Sequence, residues 1–402
     1  MVSVDETSNA ADAATALRGR DMLCFGHDWT GDPLSKTHLM RLLARDNRVL
    51  WINSIGYRAP TASKSDASRA WKKLKAAAEP VREVERNIFV LNPLAIPAYG
   101  VPWMRVVNRE LLKLQVMRAM RGLRFSRPID WVFNPTAAVV AGSLGEELLV
   151  YYCVDEFTAF TGIAGQLAAL EADLARRADL VVVSADRLLA SKSKLNPHTV
   201  LVRHGVDYDH FKKALDPATV VPTEIANLPR PIIGYFGLMA EDWIDIPLMV
   251  KVAKHFSKGS MVLLGKVTTD MTALTSLPNV HLLGRKPFAD LPAYSKGFDV
   301  AMNPFPISEV TLNANPLKVR EYLAAGLPVV STRIPEVEVL GQCRIAADAD
   351  DFVKGIEEAL ANPGPSAARS LTMKDETWAG RVEELRRHVA ALASRRSPRG
   401  SR

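Results

Sequence analysis

The chain has 402 residues, 48% hydrophobic and 24% charged, a balance that excludes a disordered polyampholyte and makes two domains the natural division. A formal charge of +7 and a pI near 9.2 favour anionic partners: phosphates, nucleic acid or an anionic lipid surface. No apolar run reaches the roughly 18 residues of a membrane-spanning helix, and the polar opening lacks the apolar segment of a secretory signal.

In chain order, residues 1–19 read as a disordered tail. DMLCFG (21–26), VLWINS (49–54), IFVLNP (88–93), DWVFNP (130–135), LLVYYCVD (148–155), LVVVSA (180–185) and VLVRHG (200–205) then read as strands. Each is a nearly continuous apolar run, as expected where both faces of a strand are covered. Helix-compatible segments such as LSKTHLMRLLARD alternate with them, which predicts a parallel sheet flanked by helices. The polar, proline-bearing stretch 208–230 has the composition of a linker, with a hinge near 210–228. The alternation resumes with PIIGYFG (231–237), MVLLGK (261–266), VHLLG (280–284), FDVAMNPF (298–305), LPVVST (327–332) and CRIAAD (343–348).

The sequence thus predicts an N-terminal domain over 20–210 and a C-terminal domain over 211–374. Both are Rossmann-like, doubly wound α/β units facing a central cleft, where open α/β sheets bind ligands. DETWAGRVEELRRHVAALASRR (375–396) reads as an amphipathic helix capped by Asp375, with Trp378 packing, and 396–402 as a basic tail. Cys24, Cys153 and Cys343 match no metal spacing and read as buried thiols of a reducing compartment.

Residues 101–127 hold seven Arg or Lys and one acid. Arg105, Arg109 and Lys113 share a helical stripe, Trp103, Met104, Val107, Leu111 and Leu114 lie opposite, and Val116, Met117 and Met120 fall among the basic residues. The pattern suits either a helix in the headgroup region of an anionic bilayer, facing it with Arg105, Arg109 and Lys113, or a solvated face over the core. Residues 64–86 add basic charge around Trp71. Neither segment has the aromatic platforms of a base reader, so nucleic acid is not the expected partner.

NPFPISEVTLNANPLKVREYLAAGLPVVST (303–332) is the most informative segment. A strand ends at Phe305, a polar loop follows, Asn315 can cap a helix, and Pro316 suits its first turn. The free N–H groups of a helix start bind phosphate, and Lys318 adds a full charge there. Glu321, three residues on, can accept from ribose hydroxyls. Equally, Lys318 and Glu321 could be a surface pair.

NANPLKVREYLAAGLPVVST resembles the donor-site signature of GT-B glycosyltransferases of the family 4-like group. HGVD (204–207) resembles the motif closing their N-terminal domain, PIIGYFG the strand and glycine turn opening the C-terminal one, and NVHLLGR (279–285) the strand lining the nucleobase pocket. The resemblance spans about residues 20–395. It implies a nucleotide-sugar donor site drawing on Gly237, Lys266, Leu283, Arg285, Glu309, Asn313, Asn315, Lys318 and Glu321, and a final helix (375–395) crossing back to the N-terminal domain. The sequence departs where Glu309 and Glu321 have eleven residues between them rather than seven, with Asn313 in the first glutamate's place, and where Gly26-His27-Asp28-Trp29 replaces a glycine-rich turn. Both departures are similar to teichuronic-acid-type transferases and xanthan-pathway glucuronosyltransferases, the latter inverting.

YYCVDEFTAFTG (151–162) ends a strand in Asp155-Glu156. Asp155 reads as the base of an inverting transfer, as the resemblance to the xanthan-pathway family implies, or as the cap of the next helix, with Asp28 as rival base. His27 and Glu156 fall on the acceptor side and His204 at the hinge. Together these readings predict a metal-independent, cofactor-free glycosyltransferase. It would be cytoplasmic and peripheral on the inner membrane, moving a UDP- or GDP-sugar to a glycan or polyprenyl-diphosphate-linked acceptor. A nucleotide-sugar 2-epimerase of the same fold and a non-catalytic membrane-associated protein are the alternatives.

Overall fold

The computed structural model describes residues 17–55, 75–77, 79–96, 101–160 and 164–396. Most of the 1–19 tail, residues 64–74 with Trp71, and 397–402 lie outside them. The chain divides into two compact units, one formed by residues up to Arg203 with the return from Arg381, the other by His204–Gly380.

The first unit is built on eight strands: β1 (Asp21–Phe25), β2 (Arg48–Ile52), β3 (Arg82–Glu85), β4 (Ile88–Leu91), β5 (Ile129–Val132), β6 (Leu148–Cys153), β7 (Leu180–Val183) and β8 (Thr199–Leu201). Their order is β3-β4-β2-β1-β5-β6-β7-β8, parallel throughout except for β3 against β4. β6 and β7 are buried at every position, which is why their sequences are unbroken apolar runs. β3 went unseen in the sequence because REVE is polar; it hangs on the sheet edge, joined to β4 by a turn in which Asn87 is left-handed (φ 63°). Leu17–Gly19, read as tail, are packed: Leu17 is fully buried, its carbonyl accepts from Asn47 Nδ2, and Gly19 N–H donates to the Asp46 carbonyl.

The C-terminal helix, Trp378–Arg396, enters the first unit at Arg381, where it buries Val382, Leu385, Val389 and Leu392. Arg386 reaches Asp46 at 3.1 Å. Thr377, rather than Asp375, caps it: the Gly380 N–H donates to Thr377 Oγ1 at 3.2 Å.

The second unit has β9 (Ile232–Phe236), β10 (Ser260–Leu264), β11 (Val280–Leu282), β12 (Val300–Asn303), β13 (Val329–Thr332) and β14 (Arg344–Ala346), all parallel, in the order β11-β10-β9-β12-β13-β14. An apolar cluster covers each face. The stretch 208–230 is not a loose linker. It folds into short helices whose Phe211, Ala214 and Ile225 sit in the core with Ile232 and Phe236. Few apolar residues in a polar segment suffice, because each lands on the same sheet face.

Both sheets reverse their winding, between β1 and β5 in the first unit and between β9 and β12 in the second. The crevice beyond the carboxyl ends at such a reversal is where open α/β sheets take ligands.

Candidate active site

In the second unit, the residues at the β9–β12 reversal converge on one lysine. Lys318 lies in the first turn of the helix Leu317–Ala324. Its Nζ donates to Tyr235 OH at 2.8 Å and stands 4.5 Å and 4.7 Å from the ring centres of Tyr235 and Phe305. Tyr235 OH in turn donates to the Leu238 carbonyl at 3.0 Å, so its lone pair is left for Lys318. Gly237 closes the other side: at φ 142° it favours glycine, and a Cβ there would lie 2.9 Å from Lys318 Nζ. Gly265, at the end of β10, is held as tightly, since a Cβ would fall 1.9 Å from the Gly237 carbonyl oxygen.

Lys318 is thus half-buried against two aromatic rings, with no carboxylate in salt-bridge contact among the described residues. Burial, partly offset by Glu321, pulls its pKa down to about 7. Burial likewise pushes Glu321 up to about 8, against the pull of Lys318. The pair is therefore not a solvated surface couple. Burial disfavours the charged form of both groups.

Asn315 does not cap the helix, whose start at Pro316 has no side-chain cap. Its side chain instead accepts from the buried Arg320 guanidinium and donates to Glu336 Oε2 at 3.4 Å, and its carbonyl meets His204 Nδ1 at 2.9 Å. His204 is buried with its ring centre 5.7 Å from Trp378. Its place is under the loop that leads into the helix start, inside the second unit. Asn313 is buried too, and donates to the Glu309 carbonyl at 2.7 Å and to Glu309 Oε2 at 3.4 Å. Glu309 itself is exposed, in a helical turn capped by Ser308.

In the first unit, the loop after β6 carries Asp155. The next helix begins only at Ala164, which removes the capping role. Burial, offset in part by Lys36, raises Asp155 to about 6. Lys36 sits in the first turn of the helix Ser35–Leu43, and its charge also acts on His27, which burial and Lys36 hold down at about 4 and therefore neutral. Lys36 had no motif to announce it; only the reversal between β1 and β5 brings its charge to Asp155. Glu156 is spoken for: it receives Lys192 Nζ at 3.0 Å and Thr158 Oγ1 at 2.5 Å, and although burial works the other way, these bonds keep its pKa low. Lys192, buried, also bonds Glu171 at 2.9 Å, and Glu171 accepts from Tyr151 OH at 2.7 Å. This network, unseen in the sequence, anchors the Asp155 loop from below. Asp28 stands apart, exposed, its Oδ1 accepting from the Ser54 N–H at 3.2 Å.

Residues 230–362, which include β9–β14 and the Lys318 helix, match the family model described as glycosyl transferases group 1. The protein is a glycosyltransferase. It is 24% identical over 289 residues to TuaH of Bacillus subtilis (strain 168), whose name assigns it as a glycosyltransferase of teichuronic acid biosynthesis; the match covers 65% of this chain and 67% of that one. Its fold is similar to that of a UDP-forming trehalose-phosphate synthase from Burkholderia xenovorans (TM-score 0.65, 12% identity, 94% of this chain and 100% of the other). It is also similar to Anabaena HepE in complex with UDP-glucose (TM-score 0.57, 13% identity, 93% of this chain and 97% of the other). These are GT-B folds, and the two Rossmann-like units of this glycosyltransferase are of that kind.

The remaining predicted residues fall around the margins of this glycosyltransferase. Lys266 and Arg285 follow β10 and β11 and are exposed, while Leu283 is half-buried against the core. Cys24 and Cys153 are buried and Cys343 is half-buried. In the helix Pro102–Leu123, Val116 and Met120 face the core with Asn108 and Leu112, which corrects the reading that they lie among the exposed basic residues. Arg105 and Lys113 are half-buried and Arg109 is exposed. The outer face carries Trp103 (63% exposed), Val106 (62%) and Leu114 (67%) beside Arg118 and Arg121. Among the described residues no helix is long and apolar enough to cross a membrane.

Proposed function

We propose that this glycosyltransferase takes its sugar from a UDP- or GDP-linked donor held by the second unit and passes it to an acceptor held by the first, with inversion. The observation that carries the donor reading is Lys318 at the β9–β12 reversal, half-buried, depressed in pKa and set beside Gly237. The diphosphate gains charge as it leaves, and Lys318 with the N–H groups of the helix start answers that charge without a metal ion. Glu321, one turn on, is the ribose partner in this reading. Asp155, raised to about 6, is suited to accept the acceptor's proton near neutral pH. A thermal-shift screen against nucleotide sugars tests the donor reading: a UDP- or GDP-sugar should raise Tm, and no shift with any of them would refute it.

Donor affinity should depend on pH in one direction. Lys318 titrates near 7 when the site is free, and a bound diphosphate favours its charged form. Above pH 7 binding therefore takes up a proton, and the Kd for UDP should rise up to about tenfold per pH unit until the complex itself titrates. Isothermal titration in buffers of different ionisation enthalpy reads both effects; a Kd flat from pH 7 to 9 would contradict the assignment.

The acceptor reading is a glycan or polyprenyl-diphosphate-linked glycan used in surface polysaccharide, taken up at the inner membrane face. The outer face of the helix Pro102–Leu123 supports it, with exposed Trp103, Val106 and Leu114 beside Arg109, Arg118 and Arg121. Changing Arg109, Arg118 and Arg121 to Glu should release the protein from phosphatidylglycerol vesicles in a flotation assay; unchanged flotation would leave that face as ordinary surface.

A further inference from the structure

The first unit holds a cavity of about 310 Å³, with polar groups set among apolar ones such as Val84, Val90 and Pro93, that the transfer chemistry above does not use. It opens at the carboxyl ends of β1, β2 and β4, lined by Asp28, Trp29, Asn53 and Asn92, with Glu79 and Arg82 at its side. Its lining is cross-braced. Asn53 Oδ1 accepts from the Trp29 N–H at 2.8 Å, Asn53 Nδ2 donates to Asn92 Oδ1 at 2.6 Å, and Asp28 is tied to Ser54. Trp51 supports the Trp29 ring edge-on at 4.9 Å, and Arg41 lies 5.2 Å from its centre. Asn92 Nδ2 and the second carboxylate oxygen of Asp28 take no partner among the described residues, which leaves a donor and an acceptor for a ligand.

An indole wall beside fixed amide and carboxylate groups is the chemistry that holds a pyranose ring: its C–H face packs on the aromatic surface and its hydroxyls bond the polar rim. The charge is wrong for phosphate. Two carboxylates face one guanidinium, the reverse of the Lys318 site. The position matters as well. In the sheet order, β1 is two strands from β6, β2 three and β4 four, about 10–19 Å at the usual strand spacing. A sugar seated at the Asn53–Asn92 end of the cavity is therefore not the one whose hydroxyl lies at Asp155.

We propose that this cavity binds a second sugar residue of the acceptor, remote from the one that is extended, so that the enzyme elongates an oligosaccharide rather than priming a single sugar or a bare lipid phosphate. The proposal rests on the reading that the first unit holds the acceptor. The test uses the full-length protein on an array of bacterial-polysaccharide fragments from mono- to hexasaccharide, with UDP binding measured separately on the same preparation. Fragments of two or more sugars should be retained and monosaccharides should not. Trp29→Ala, and independently Asn92→Ala, should each weaken that retention about tenfold or more with UDP affinity unchanged. The proposal is overturned if no fragment binds, if monosaccharides bind as well as longer ones, or if neither variant alters retention. Loss of UDP binding alone would remove the donor reading and leave this result standing.

Discussion

Replacing Lys318 by methionine is expected to weaken UDP binding about 10–100-fold, the worth of hydrogen bonds to a charged group. The fold should survive. Methionine fills the space between Tyr235 and Phe305 with an apolar chain, and the site then no longer holds a group whose charge burial disfavours. Thermal stability without ligand should be equal or higher, while the Tm gain on adding UDP should shrink. That opposite movement separates a ligand-binding lysine from a structural one. Equal UDP affinity in variant and wild type would take Lys318 out of the donor site.

The second large effect is expected at Asp155. Asp155→Asn keeps the shape of the side chain and removes the proposed base, so kcat should fall about 10²–10⁴-fold, the usual range for losing a general base. Donor affinity should not change, because the proposed donor site at Lys318 belongs to the other unit. In the wild-type enzyme the base works deprotonated, so kcat should rise with pH through about 6 and level off above it. Asp155→Asn should lose that acid limb. Near-normal turnover in the variant would exclude Asp155 as the base. Asp28→Asn, in the cavity at the ends of β1, β2 and β4, should instead leave kcat nearly intact and raise the acceptor KM.

The strands were legible because burial on both faces writes an unbroken apolar run: LVVV and LLVYYC are visible without any partner. β3 was not, since an edge strand with three charged residues in four carries no such signal. The helix with Lys318 was legible from its proline, its glycine stop and the family signature. What Asn315 does was not. Its sequence position favours a cap, but Arg320 takes the Oδ1 a cap would use, Glu336 accepts from Nδ2 and His204 meets the carbonyl, and all three are brought there by the fold alone. For the same reason Lys36 and the Lys192–Glu171–Tyr151 network escaped notice: each acts on a residue more than fifteen positions away, across elements whose adjacency depends on strand order. The segment 208–230 shows the opposite error, where polar composition concealed three buried side chains, Phe211, Ala214 and Ile225.

The central claim is that the diphosphate of a nucleotide sugar sits between Lys318 and the turn at Gly237. A crystal structure of the protein with its bound nucleotide sugar tests this directly. The expected result is a phosphate oxygen within hydrogen-bonding distance of Lys318 Nζ, at the carboxyl ends of β9 and β12. A nucleotide bound elsewhere, with Lys318 still resting on Tyr235, would contradict it.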